Sequence, residues 1–94
     1  MVIGVCTIHL NIPANRSLKG KRRVLKPLMA RVRKDFNVSI AEVGHQDAWQ
    51  IATLGVACVS VDSAYAHGLL TKVVQAISAY RLDADVVDFE IEIL

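Results

Sequence analysis

Ninety-four residues suffice for one domain over 1–94 and one shared core, and 53% of them are apolar, mostly Val, Ala, Ile and Leu rather than aromatics. The chain has no stretch of about 18 apolar residues and no basic leader with a cleavage site, so a cytoplasmic protein with no membrane segment is expected. The net charge of +2 conceals an asymmetry, because residues 1–40 sum to +8 and residues 41–94 to −6. A dipolar chain of this kind offers different surfaces to different partners.

Val2 to Ile12 alternates as a half-buried strand. Val2, Cys6, Ile8, Leu10 and Ile12 share one face, and Thr7, His9 and Asn11 the other. Pro13 ends it, and Ser17 is placed to cap the helix that follows. From Leu18 to Phe36 the positions Leu18, Leu25, Leu28, Met29, Val32 and Phe36 recur at helical spacing. Pro27 lies inside that pattern, yet the periodicity continues in phase across it, which predicts one kinked helix rather than two. Val38 to Val43 is a second strand, and Gly44 to Ala48 a turn. Trp49 to Val61 is a third strand with mixed phase, which a bulge at Gly55 or burial on both faces would explain. Asp62-Ser63 caps a second helix with Ala66, Leu69, Leu70, Val73, Ile77 and Tyr80 on its buried stripe. After Leu82-Asp83 the last strand, Ala84 to Leu94, alternates Val87, Phe89, Ile91 and Ile93 against Asp88, Glu90 and Glu92.

The order β-α-β-β-α-β predicts an α+β, ferredoxin-like fold: a four-stranded antiparallel sheet, strand order 4-1-3-2, with both helices on one face. Cys6 and Cys58 fall inside apolar strands, where reduced, buried thiols are the ordinary state.

Nine of the eleven Lys and Arg residues lie between Arg16 and Lys34, on the first predicted helix. Lys19, Arg23, Lys26, Arg31, Arg33 and Lys34 point sideways or outward from a buried face centred on Leu25. Lys21 and Arg22 fall beside that face, where such residues either snorkel past the sheet or pair with an acid. A plain reading of the outward set is a solvated face. The functional reading is phosphate binding, since clustered Lys and Arg along one helix form the electrostatic footprint of a nucleic-acid partner. On that reading Lys19, Lys21, Arg22, Arg23 and Lys26 are the RNA- or anion-binding residues. The acidic remainder of the chain suits a docking site on a ribonucleoprotein or an acidic protein better than general RNA affinity.

Other chemistries find little support. RNA-recognition modules of this topology stack bases on aromatics of the two central strands. Here the only such residue is Trp49, at a strand start. Asp88, Glu90 and Glu92 are expected beside Thr7, His9 and Asn11, making an acidic strip that suits solvent or a homodimer contact. His9, His45 and His67 lie on three different elements without metal-ligand spacing, so no metal is expected. Gly20 stands alone within the helix, so no glycine-rich phosphate loop and no cofactor motif is present. His45, Asp47 and Glu42 would have to build an unexpected pocket for catalysis.

Ser17-Leu18-Lys19-Gly20-Lys21-Arg22-Arg23-Val24-Leu25, Phe36-Asn37-Val38-Ser39, Ala41-Glu42-Val43, Asp47-Ala48-Trp49-Gln50 and Leu54-Gly55-Val56-Ala57 resemble the YlxP-like family of small bacterial proteins of unknown function. The resemblance spans essentially the whole chain, with Pro27 as a departure in the helix. It implies a ferredoxin-like fold and no catalytic residues, and it focuses interest on Lys19, Lys21, Arg22 and Glu42. Genes of that family commonly accompany those for transcription elongation, translation initiation and ribosome-binding factor A, which implies work near ribosome assembly. The expected function is therefore a non-enzymatic module docking on ribosomal or pre-ribosomal RNA through the basic helix. The alternative is a homo-oligomeric protein-interaction module without RNA binding.

Overall fold

The computed structural model describes residues 1–80 and 83–94. Six elements follow in the expected order: β1 (Val2–Asn11), α1 (Leu18–Asp35), β2 (Ser39–Gly44), β3 (Ile51–Ser60), α2 (Ser63–Ala79) and β4 (Asp85–Ile93). All strand pairs are antiparallel, in the spatial order β2-β3-β1-β4. This is the ferredoxin-like arrangement. Leu82, expected in the connection to β4, lies outside the described residues.

Period-two alternation on β1 sends Cys6, Ile8 and Leu10 to one side of the sheet, where they meet Leu54, Val56 and Cys58 of β3. Leu25, Leu28 and Val32 of α1 and Ala66, Leu70, Val73 and Ile77 of α2 cover that side. Removing such side chains from water contributes about 1.5–3 kcal/mol each. Both helix starts are capped as their sequences require: Ser17 Oγ accepts from the Gly20 backbone N–H at 2.9 Å, and Asp62 Oδ2 from that of Tyr65 at 2.8 Å. Pro27 is accommodated within a single continuous helix, α1. Pro27 is exposed and brings no N–H to the Arg23 carbonyl, a loss that water can make good on that face.

Three strand expectations are corrected. First, β3 begins at Ile51, so Trp49 and Gln50 belong to the preceding loop. Second, β3 keeps an unbroken register with β1, and the bulge lies in β2 between Glu42 and Gly44. The extra residue, Val43, lays its side chain over Gly55, where any Cβ would be crowded. Third, β4 shifts register opposite His9 and Leu10, so that Asp88 faces His9 and Val86 faces Leu10. Val87 is the residue left over. It is 60% exposed rather than inward, while Val86, Ile91 and Ile93 pack against the core.

Candidate nucleic-acid interface

Helix α1 divides its residues by angle. Lys21, Leu25, Leu28 and Val32 form the buried stripe. At about 100° per residue, Lys19, Arg23, Lys26, Ala30 and Lys34 lie diametrically opposite, flanked by Arg22 and Arg33. The cationic stripe is therefore a direct consequence of the amphipathic period, and it runs roughly 22 Å from Lys19 to Lys34 at about 1.5 Å per residue. Lys19, Arg22, Arg23 and Lys26 are exposed and, among the described residues, take part in no ion pair or side-chain hydrogen bond. With Pro27 they surround a shallow depression of about 440 Å³. Further along, Arg33 Nη2 donates to the Ile40 carbonyl at 2.8 Å, and the Arg31 guanidinium sits 4.2 Å from the centre of the Tyr80 ring. Most of the uncommitted charge of α1 thus lies in its N-terminal half, with Lys34 alone near the other end.

Lys21 is removed from the anion-binding set. Only 2% of it is exposed, and its ammonium donates to the carbonyls of His45 at 2.7 Å and Ala48 at 2.9 Å. Its third neighbour is Glu42 Oε2 at 2.7 Å. No other hydrogen-bond donor among the described residues reaches that oxygen, so the ammonium charge compensates it. The Leu54–Glu42 pairing puts Glu42 on the helix side of the sheet, directly under the first turns of α1. Of the two residues expected beside the buried face, Lys21 pairs inward and Arg22 stays exposed.

The face of the sheet without helices holds a second group of polar side chains. Thr53 Oγ1 lies 2.8 Å from His45 Nδ1 and 3.2 Å from His9 Nδ1, so the hydroxyl can donate to one ring and accept from the other. His9 Nε2 is 3.8 Å from Asp88 Oδ1. No spacing in the chain links His9 with His45, because Thr53 brings them together from a third element. His45 has a φ of 57°, unusual for a non-glycine residue, and Lys21 and Thr53 hold it there from opposite sides. Glu90 pairs across from Thr7 and Glu92 from Val5, as the acidic strip requires, whereas Asn11 meets Asp85 because of the β4 bulge. Among the described residues no three His, Cys, Asp or Glu side chains converge as a metal site. Burial pushes the Cys6 thiol up to about 11, which keeps it protonated and poorly nucleophilic near neutral pH. No described helix is long and apolar enough to cross a membrane.

A family model described as "Protein of unknown function (DUF503)" matches residues 3–91. "Uncharacterized protein YlxP" of Bacillus subtilis (strain 168) is 44% identical over 64 residues, covering 68% of this chain and 70% of that protein. Among solved structures, the chain is similar to LarC2, the C-terminal domain of a cyclometallase involved in the synthesis of the NPN cofactor of lactate racemase, in its apo form. The TM-score is 0.48 and the identity 12%, and the likeness covers the whole of this chain but 56% of that one.

Proposed function

The chain belongs to the family of unknown function DUF503, and we propose that it is a non-enzymatic binding module whose basic helix docks on the phosphates of ribosomal or pre-ribosomal RNA. The observation that carries this reading is the stripe of Lys19, Arg22, Arg23 and Lys26, solvent-facing and without an acidic partner among the described residues. Unpaired cations held along a rigid element can meet a row of phosphates without first giving up internal partners. Arg22 and Arg23 fork onto phosphate oxygens, and Lys19 and Lys26 add point charge. Such contacts position a partner without reading its sequence. The acidic side chains of β4, Asp88, Glu90 and Glu92, stand beside His9, Thr7 and Val5 on the face without helices and repel a polyanion there, which restricts docking to one side of the molecule.

The test is co-sedimentation with ribosomal particles on gradients at low and high salt, wild type beside Arg22→Glu/Arg23→Glu. Salt-sensitive co-migration lost in the variant supports the reading, since each neutralised phosphate releases counterions. Wild type remaining at the top of the gradient at low salt overturns it.

A second reading, self-association, rests on the uncovered sheet face, where Ile3, Val43, Val59 and Val87 are exposed around half-buried Val5 and Ala57. Four strands about 4.8 Å apart and six to ten residues long offer roughly 500 Å² per copy, near the lower limit for a specific interface. A two-fold axis parallel to the strands sets β4 of each copy over β2 of the other and keeps the acidic strips apart. A sedimentation mass that rises with concentration, unchanged by Arg22→Glu/Arg23→Glu, marks this arrangement.

A further inference from the structure

At one end of the sheet the connection from β1 to α1 runs beside the loop from β2 to β3, and polar side chains tie the two together. Asn15 Nδ2 donates to the Ser17 carbonyl at 2.7 Å and to the Trp49 carbonyl at 2.5 Å. Gln50 Nε2 donates to the carbonyls of Pro13 at 3.3 Å and Asn15 at 3.2 Å, and the Gln50 carbonyl accepts from the Ile12 N–H at 2.8 Å. On the other side Lys21 holds the carbonyls of His45 and Ala48. Trp49 therefore has a backbone fixed at its own carbonyl and at both neighbours. Yet the residue is 53% exposed and its indole N–H has no partner among the described residues. A buried lysine and two amides hold in place a large aromatic that is left half exposed.

The indole forms a wall of an open cleft of about 620 Å³, lined also by Arg16, Asp47, Gln50 and Ile51. That volume lies within the roughly 300–1,000 Å³ of small-molecule sites. Arg16 is exposed, enters no ion pair among the described residues, and stands one residue before the cap of α1. Lys19, three positions on, starts the cationic stripe.

We propose that this cleft receives one unstacked nucleobase of a single-stranded RNA segment, stacked on Trp49, with its flanking phosphates on Arg16 and Lys19. The proposal rests on the RNA-docking reading and adds what that reading lacks, a place for a base. Indole stacking tolerates any base, because every base has a π-face. Arg16 and Lys19 supply the positive path for the backbone on one side of the ring. Asp47, on the rim, repels phosphate and accepts N–H groups from a base edge, which orients the nucleotide base-inward. The central strands carry no Phe, Tyr or Trp, so the stacking platform that this fold can build on its sheet is built here on a clamped loop instead. A base paired within a duplex keeps both faces stacked and cannot enter.

Trp49 is the sole tryptophan of the chain, so its emission reports the cleft directly. The full chain is titrated with a single-stranded RNA of about ten nucleotides, within the usual site size of such proteins, and with the same sequence as a blunt duplex. Labelled copies of both RNAs give affinities by anisotropy for wild type, Trp49→Ala, Trp49→Phe and Arg22→Glu/Arg23→Glu. Saturable quenching by the single strand but not by the duplex is expected. Trp49→Ala should weaken single-strand binding roughly 5- to 150-fold, leave duplex binding unchanged, and be largely rescued by Trp49→Phe. If both RNAs bind in a salt-sensitive way without quenching, or Trp49→Ala binds the single strand as wild type does, the cleft proposal is overturned and helix docking stands. If neither RNA binds, both fall. Emission that shifts with protein concentration alone assigns the cleft to a second copy and also overturns the proposal.

Discussion

Lys21 Nζ and Glu42 Oε2 face each other at 2.7 Å beneath the first turns of α1, and the same ammonium holds two carbonyls of the β2–β3 loop. One buried charge thereby joins a helix, an edge strand and a loop. Lys21→Met keeps the aliphatic stem but strands the carboxylate and both carbonyls. It should cost about 3–5 kcal/mol in urea unfolding. Adding Glu42→Gln removes the stranded charge, so the double variant should be more stable than the sum of the single losses predicts. Strict additivity would mean that the pair is uncoupled.

Gly20→Ala would stabilise an ordinary helix interior by about 1 kcal/mol. Here the new Cβ collides with Asn15 Oδ1, whose amide holds Ser17 and Trp49. The expected outcome is a loss of about 1–2 kcal/mol in thermal unfolding, with a change in Trp49 emission. Removing the obstacle in Asn15→Ala/Gly20→Ala should return part of the helix gain, although the amide's bonds are lost.

Pro27→Ala supplies the missing N–H to the Arg23 carbonyl and touches no core side chain. It should stabilise the protein by about 1–3 kcal/mol, measured by urea midpoint at unchanged m-value. RNA affinity should stay as it is, because the four flanking cations remain.

Cys6 links stability to alkaline pH. Its thiol, ordinarily at 9.0, is pushed by burial to about 11, so the folded chain keeps a proton that the unfolded chain releases. Stability should be level below pH 9 and fall by about 2–3 kcal/mol as pH rises through about 11. Tyr80 adds to the decline at higher pH: burial raises its phenol above the ordinary tyrosine range first, then its hydrogen bond to Asp35 at 3.1 Å. Cys6→Ala, followed by urea unfolding across this range, should flatten the first part of the slope. An unchanged profile would exclude Cys6 as its source.

The architecture was legible because both periods are strong: α1 alternates at 3.6 residues and β1 at two, and the cationic stripe comes with the first of these. Bulges hid the rest of the strand detail. Val87 continues the apolar alternation of Phe89 and Ile91, and nothing local announces the extra residue that turns it outward. The position of Lys21 was readable from its angle on the helix, but its partner was not. Glu42 lies on another element, and only the sheet register brings it under the helix. The cleft was harder still. Trp49 reads as the first residue of a strand, and its clamp comes from Asn15 and Gln50, polar loop residues with no pattern to mark them.

The strand order carries a consequence for how the chain acquires this structure. β1 is central, yet its neighbours arrive late: Val2 pairs with Ser60, and Gly4 with Ile93. During synthesis the first strand emerges and waits with both edges open. The β2–β3 hairpin and α1 can form meanwhile, but β1 gains one neighbour only after β3 and the other only when β4 has left the exit tunnel. Contacts this distant in sequence favour slow folding, with closure of β1 against β4 among the last events. Until then the apolar underside of β1 is open to any chaperone or misplaced strand that reaches it first.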